Sequence, residues 1–175
     1  MRRLLATFFI LGASVTSALA DPPDDVRKAL VNFAGVSSYH LTFESKAQKG
    51  EADFVKPDKM HMTAGPAEVI TIADGTYVKV LGNWMKLPRP MPQMQNAMLG
   101  YVRDLSSKPQ DVTVDDLGPK SVDGASYHAY TVTPKGGKPA TVYIDGAGLL
   151  VRVDADEGSV KLSNFNAPVN MEAPI

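Results

Sequence analysis

Three histidines, His40, His61 and His128, are the side chains in this sequence best suited to acid–base or metal chemistry. None of them is spaced to share a metal ion with another histidine, and the chain has no cysteine. The sequence also lacks the G-x-S-x-G and H-E-x-x-H motifs and the glycine-rich loop that holds phosphate groups. The histidines are therefore assigned surface or packing roles, and no metal ion is predicted.

Neighbouring carboxylates are the other candidates for catalysis. Asp115-Asp116 and the group Asp154, Asp156 and Glu157 fall at the ends of predicted strands, where acidic side chains are usually solvated. A hydrolase needs two carboxyl groups at a fixed separation, one of them with a pKa raised by burial. Nothing in these positions indicates such burial, so we predict that the protein is not an enzyme and has no cofactor.

The methionines are more informative. Eight are present, and all but Met1 follow residue 20. Methionine is unbranched and polarizable, so it adapts to apolar ligands of variable shape, although ordinary core filling is the simpler interpretation. A copper(I) thioether site is a third interpretation. It is disfavoured because Met91, Met94 and Met98, which have the spacing of one helical face, have no histidine next to them. The seven are Met60, Met62, Met85, Met91, Met94, Met98 and Met171.

The first twenty residues have the pattern of an export signal. Arg2 and Arg3 precede an apolar run from Leu4 to Leu11, and Ala18-Leu19-Ala20 is a cleavage site. We predict a signal peptide over 1–20, cleaved after Ala20, and one periplasmic domain over 21–175. Without cysteine this domain carries no lipid anchor and no disulfide. With 16 basic residues (18 less Arg2 and Arg3) against 19 acidic ones, it is not expected to bind nucleic acid.

The remaining pattern predicts an α+β fold. Val26, Ala29, Leu30 and Phe33 form one apolar helical stripe, and Gly35 is a plausible end of that helix. From Ser37 onward the apolar period changes to two, and turn signals such as Asp74-Gly75 separate about ten short antiparallel strands. Residues 93–105, after three prolines, allow a second helix. Helices on one face of a curved sheet suit this pattern better than an all-β barrel or sandwich.

Several short motifs resemble the LolA/LolB-like periplasmic lipoprotein carriers and the related LppX/LprG lipid-binding lipoproteins. These motifs follow the helix in chain order and span most of residues 21–175. They are Val36-Ser37-Ser38-Tyr39, Asp53-Phe54-Val55-Lys56-Pro57-Asp58-Lys59-Met60, Asp74-Gly75-Thr76-Tyr77-Val78 with Trp84-Met85-Lys86, Val142-Tyr143-Ile144-Asp145 with Leu149-Leu150-Val151-Arg152, and Phe165-Asn166.

The resemblance implies an incomplete, curved antiparallel barrel with helices covering its concave face and a hydrophobic cavity for acyl chains. It implies a free periplasmic binding or shuttle protein for a lipid, a lipoprotein acyl chain or another hydrophobic ligand, with a membrane protein as possible donor or acceptor. A non-enzymatic sensor or protein-interaction domain on the same fold is the alternative. The expected ligand-binding residues are Leu41, Phe43, Met60, Met62, Val78, Val80, Trp84, Met94, Met98 and Tyr101.

Overall fold

The computed structural model describes residues 22–87 and 111–175. Within these two ranges it has one α-helix and eleven β-strands. In chain order they are α1 (Pro22–Gly35), β1 (Ser38–Ser45), β2 (Lys49–Val55), β3 (Lys59–Ala64), β4 (Ala67–Ile72), β5 (Gly75–Val80), β6 (Asn83–Leu87), β7 (Val112–Val122), β8 (Ala125–Pro134), β9 (Ala140–Ile144), β10 (Leu150–Ala155) and β11 (Gly158–Ser163).

Helix α1 forms where the apolar stripe predicts it. Asp24 and Asp25 lie in its first turn, where a negative charge complements the helix dipole. At the other end the Lys56 ammonium donates hydrogen bonds to the carbonyl oxygens of Phe33 (3.2 Å) and Ala34 (2.7 Å). These bonds satisfy carbonyl groups that the last turn of a helix leaves without a partner.

All eleven strands belong to one antiparallel sheet, in the order β6-β5-β4-β3-β2-β1-β11-β10-β9-β8-β7. The first six strands form a meander, and the last five form a second meander in reverse order. Strand β1 joins the two by pairing with both β2 and β11. Among the described strands β6 and β7 do not pair, so the sheet is curved but not closed. The predicted fold class is confirmed, with eleven strands in place of about ten.

Helix α1 packs on the concave face of the sheet, which we call the inner face. Its buried side chains Val26, Ala29, Leu30 and Phe33 belong to one core cluster, whose buried sheet residues come from five strands, β1 and β8 to β11. We call these five strands and the edge strand β7 the helix-covered half. The sheet residues of this cluster are Tyr39, Leu41, Tyr130, Val132, Val142, Ile144, Leu150 and Leu162, with Val112 and Val114 of β7 packed against it.

Strands β2 to β6 form the other part of the sheet, which we call the methionine half. Its buried cluster is small and consists of Ala52, Met60 and Met62, with Phe54 and Val69 packed against them. The predicted helix at 93–105 lies outside the described residues. Within the described ranges, the one helix is too short to cross a membrane.

Candidate functional site

The inner face of the methionine half is built from cross-strand rows. Residues directly opposite in an antiparallel pair lie on the same face, and their side chains are neighbours. Starting from Leu41 of β1, the pairing partners continue one strand at a time to the edge of the sheet. This row is Leu41, Ala52, Met62, Val69, Val78 and Met85. Every side chain in this row is apolar. Together with Met60 and Val80, which lie on the same face, the row forms what we call the apolar wall, which crosses six strands.

A second row runs parallel to the first and is also mostly apolar. It contains Phe54, Met60, Thr71, Thr76 and Leu87. The two threonine hydroxyls lie 3.2 Å apart and hydrogen-bond to each other, and Thr76 is fully buried. Because these hydroxyls satisfy each other, the row places no unpaired polar group among the methionines.

Burial decreases along this wall from the centre of the sheet to its edge. Met60 and Met62 are 3% and 9% exposed, whereas Val80 and Met85 are 43% and 50% exposed. Val69 and Val78, between them, are half-buried. The apolar wall therefore connects a buried methionine pair with an exposed apolar edge.

Six of the ten predicted ligand-binding residues lie on this one face: Leu41, Phe43, Met60, Met62, Val78 and Val80. Leu41 belongs to the core beneath α1, while Phe43 packs against that core and remains half-buried. The Phe43 ring lies over Gly50 of the neighbouring strand, where any side chain would collide with it. Met94, Met98 and Tyr101 lie outside the described residues.

Trp84 is the exception, because the register places it on the opposite, outer face. Val78 pairs with Met85 and Lys79 pairs with Trp84, so Met85 faces inward and Trp84 outward. The Lys79 ammonium lies 5.5 Å from the centroid of the indole ring. Trp84 is half-buried there and does not contribute to the apolar wall.

The outer face of the methionine half carries a charged network. Glu68 accepts hydrogen bonds from the Lys79 ammonium (2.8 Å) and pairs with His61 Nε2 (3.0 Å). These two hydrogen bonds lower the pKa of the Glu68 carboxyl below its usual value, and the bond from Lys79 has the larger effect. Over 22–87 and 111–175 no three His, Asp or Glu side chains are grouped closely enough to hold a metal ion.

The sequence did not single out a small apolar cavity between α1 and the β7–β8 edge. Its volume is about 50 Å³, and its apolar lining comes from Pro23, Val26, Leu30, Val112, Val114 and Val132. Ligand pockets for drug-sized molecules are roughly 300–1,000 Å³, so this cavity is too small for a long acyl chain. Only the alternating valines at the start of β7 and the single Val132 of β8 could have indicated it, and such alternation is typical of any half-buried strand.

A larger open groove of about 440 Å³ lies at the end of β1, β10 and β11. Four carboxylates and Arg152 line it, including Glu44 and Asp154. Because its wall is charged, it does not suit an apolar ligand. The inner face of the methionine half, with its continuous apolar row, therefore suits such a ligand better than either of these two cavities.

No protein-family model matches the chain, and no curated protein matches it in sequence. Solved structures do match. The lipoprotein LppX of Mycobacterium tuberculosis is 22% identical over 86% of this chain and 97% of its own, with a TM-score of 0.64. LprF from Mycobacterium bovis is 20% identical over 87% of this chain and 96% of its own, with a TM-score of 0.64. MucB is 16% identical over 87% of this chain and 62% of its own, with a TM-score of 0.55.

An open, curved antiparallel sheet with a helix on its concave face defines a class of half-barrel domains. More particularly, the chain has the fold of the lipoproteins LppX and LprF. At these identities the similarity establishes the fold, and it confirms the resemblance read from the sequence motifs.

Proposed function

We propose that this protein is a periplasmic binding or shuttle protein for a lipid, a lipoprotein acyl chain or another hydrophobic ligand. The observation that carries the proposal is the apolar wall of the methionine half, which runs from buried Met60 and Met62 to exposed Val80 and Met85. The fold shared with LppX and LprF supports it.

Methionine suits this role for a physical reason. Its unbranched side chain has three rotatable bonds and a polarizable sulfur, so it can change rotamer to fit ligands of different shape. Stiffer valines at Val69 and Val78 would form the fixed part of the wall, and the methionines the adjustable part. Met94, Met98 and Tyr101 are proposed as further contacts.

The energetics are compatible with a reversible carrier. Removing methylene groups from water contributes about 0.8 kcal/mol each, so a long acyl chain offers roughly 10 kcal/mol before costs. Association and side-chain ordering together cost several kcal/mol, which reduces the net binding free energy substantially. A ligand held in this way can be loaded and released again.

We also propose that the protein is exported to the periplasm. Residues 1–20 would direct export and be removed after Ala20, leaving 21–175 as one unanchored, non-enzymatic domain. A membrane protein would act as donor or acceptor of the ligand.

The test combines native mass spectrometry with probe binding. Protein purified from its own periplasm should carry a lipid of defined mass and, after delipidation, should bind a fluorescent fatty acid. Replacing Met62 by Ala should weaken that binding by roughly tenfold, since the side chain contributes one to two methylene-equivalents of contact.

Met171→Ala is the matched control. Met171 is buried to nearly the same extent (8% exposed, against 9% for Met62), but it lies in the C-terminal segment after β11. It should lose similar stability and keep its affinity for the probe. Absence of both co-purified lipid and probe binding would reject the carrier function and favour a sensor or protein-interaction domain on the same fold.

A further inference from the structure

The turn between β5 and β6 contains a residue that its backbone conformation disfavours. Leu81 has φ 50° and Gly82 has φ 84°, so both central residues are left-handed, as in a type I′ turn. Asparagine, aspartate or glycine is preferred at the first of these positions, and a leucine there costs roughly 1–2 kcal/mol. The β7–β8 turn has the same conformation with the preferred residues, Asp123 (φ 52°) and Gly124 (φ 81°).

Leu81 gains nothing from packing against residues 22–87 and 111–175 that would offset this cost. It is 96% exposed, and its neighbours Val80 and Met85 are 43% and 50% exposed. These three residues, which we call the hairpin tip, make up half of the six large hydrophobic residues that are exposed among those described. Backbone strain and exposed apolar surface at one place indicate a contact that the described part of the chain does not supply.

The residues behind the hairpin tip indicate what that contact is. Trp84 and Lys79 lie together on the outer face, one step back from the turn, and Lys86 follows on the same face. Tryptophan and lysine have an apolar body with a polar end, and both favour the interface between lipid headgroups and acyl chains. The hairpin segment 75–87 contains two lysines and no acidic residue, but Glu68 pairs with Lys79 (2.8 Å) and Asp74 pairs with Lys86 (3.2 Å). The local charge is therefore balanced, and the apolar and aromatic side chains suit a neutral as well as an anionic bilayer surface.

We propose that the hairpin tip docks into the surface of a lipid bilayer. Leu81 at the turn and Val80 and Met85 on the inner face would enter the apolar layer, while Trp84 and Lys79 on the outer face would remain at headgroup level. This inference rests on the hairpin alone and goes beyond ligand binding. Because Val80 and Met85 also end the apolar wall, docking would bring the methionine half to the membrane.

Trp84 makes the test direct, since it is the one tryptophan in the chain. The mature protein is mixed with vesicles of phosphatidylcholine, with and without phosphatidylglycerol. Partitioning is measured by flotation and by the fluorescence of Trp84. We expect the protein to float with both kinds of vesicle and the emission to shift to shorter wavelength. Because both lysines of the hairpin are paired with carboxylates, phosphatidylglycerol should change these effects little.

Two leucine variants decide the role of the tip. Leu81→Asn removes the apolar side chain but suits the type I′ turn, so it should fold at least as stably and partition about tenfold or more weakly. Leu117→Asn removes the other leucine that is exposed among the described residues (41% exposed), on β7 at the opposite edge of the sheet, and should partition as the wild type does.

The proposal is overturned if the wild type does not float, or if Leu81→Asn floats equally well. Sedimentation that shows a wild-type dimer and a Leu81→Asn monomer, without flotation, would assign the tip to a second copy of the chain and also overturn it. Fatty-acid binding is measured on the same variants. Leu81→Asn should keep it, so loss of docking and failure of the carrier function remain distinguishable.

Discussion

The two halves of the sheet use the same strand geometry but are filled with different side chains. In the helix-covered half, thirteen buried residues form one cluster, and they are valine, leucine, isoleucine, alanine and aromatic side chains. In the methionine half, the buried cluster has three residues, two of them methionines. Stiff side chains in well-defined rotamers specify a single packing, whereas methionine tolerates several. The first half is therefore suited to stability and the second to adaptation.

Directional bonds add to this difference. Helix α1 is tied to the sheet and its loops at three points. The Tyr130 hydroxyl donates to Asp25 (3.0 Å), the Asn32 amide donates to the carbonyl oxygen of Gly148 (3.0 Å), and Lys56 caps the helix end. The first two bonds hold α1 over its own half of the sheet, and Lys56, which follows β2, holds the helix end at the border with the methionine half.

The largest expected effect is on the core beneath α1. Phe33 is 1% exposed and its ring contacts those of Tyr39 and Phe165. Phe33→Ala should lower the free energy of unfolding by about 3–5 kcal/mol, because it leaves a cavity in a stiff core. Denaturant unfolding measures this. Val31→Ala, on the exposed side of the same helix, should change it by less than about 0.5 kcal/mol. Equal losses would show that α1 is not packed as described.

Alkaline pH should destabilise mainly the helix-covered half. Burial raises the pKa of Tyr39 to about 12. The pKa of Tyr130 is also raised, mainly by burial and secondly by the hydrogen bond to Asp25. The folded state holds these protons more tightly than the unfolded state, so their contribution is fully present below pH 10 and is lost as pH rises.

Between pH 10 and 12, Tyr39 alone accounts for roughly 2–3 kcal/mol of this loss. Tyr39→Phe should flatten the dependence of unfolding free energy on pH in that window, and its ring can keep the stacking on Phe54 (4.8 Å between centroids). A variant with an unchanged alkaline slope would contradict the assigned cause.

The two halves should differ most clearly in how much stability they lose when the shape of a buried side chain is changed. Met62→Leu keeps the volume and should cost less than about 1.5 kcal/mol. Val132→Leu adds a methylene group to a fully buried position and should cost about 1–3 kcal/mol. Thermal unfolding of both variants compares them. If Val132→Leu were tolerated better than Met62→Leu, the assignment of a stiff and an adaptable half would be wrong.

The smallest expected effect is on the outer face. Glu68→Gln removes the charge paired with Lys79 and His61, and should lower stability at neutral pH by about 0.5–1 kcal/mol. Since the Glu68 pKa is lowered in the folded state, the contribution is present above its usual pKa and is lost as pH falls through the lowered value. Wild type and variant should therefore converge in acid. Fatty-acid binding should not change, because this network lies on the opposite face from the apolar wall.

Much of the fold follows from local pattern. The stripe from Val26 to Phe33 predicts α1, and it is confirmed, with Gly35 as its last residue. The Asp74-Gly75 signal correctly separates β4 from β5, and Asp123-Gly124 separates β7 from β8. Period-two alternation also groups Met60 and Met62 on one face, because a strand can bury only alternate residues.

The remaining features depend on long-range register. Trp84 and Met85 are adjacent and both apolar, so alternation cannot show which of them faces inward. That depends on the Leu81-Gly82 turn, which pairs Val78 with Met85. The pairing of β1 with β11 joins residues more than a hundred positions apart, and local pattern does not show it. The helix over 93–105 and its ligand contacts remain predictions.

The most direct test of the central claim is photo-crosslinking of a fatty acid that carries a diazirine near its methyl end, followed by peptide mapping. The account predicts label on 59–85, concentrated at Met60, Met62, Val69 and Val78, and little on α1 or β8 to β10. Label on α1 or β8 to β10 with none on 59–85 would contradict the assignment of the ligand site to the methionine half.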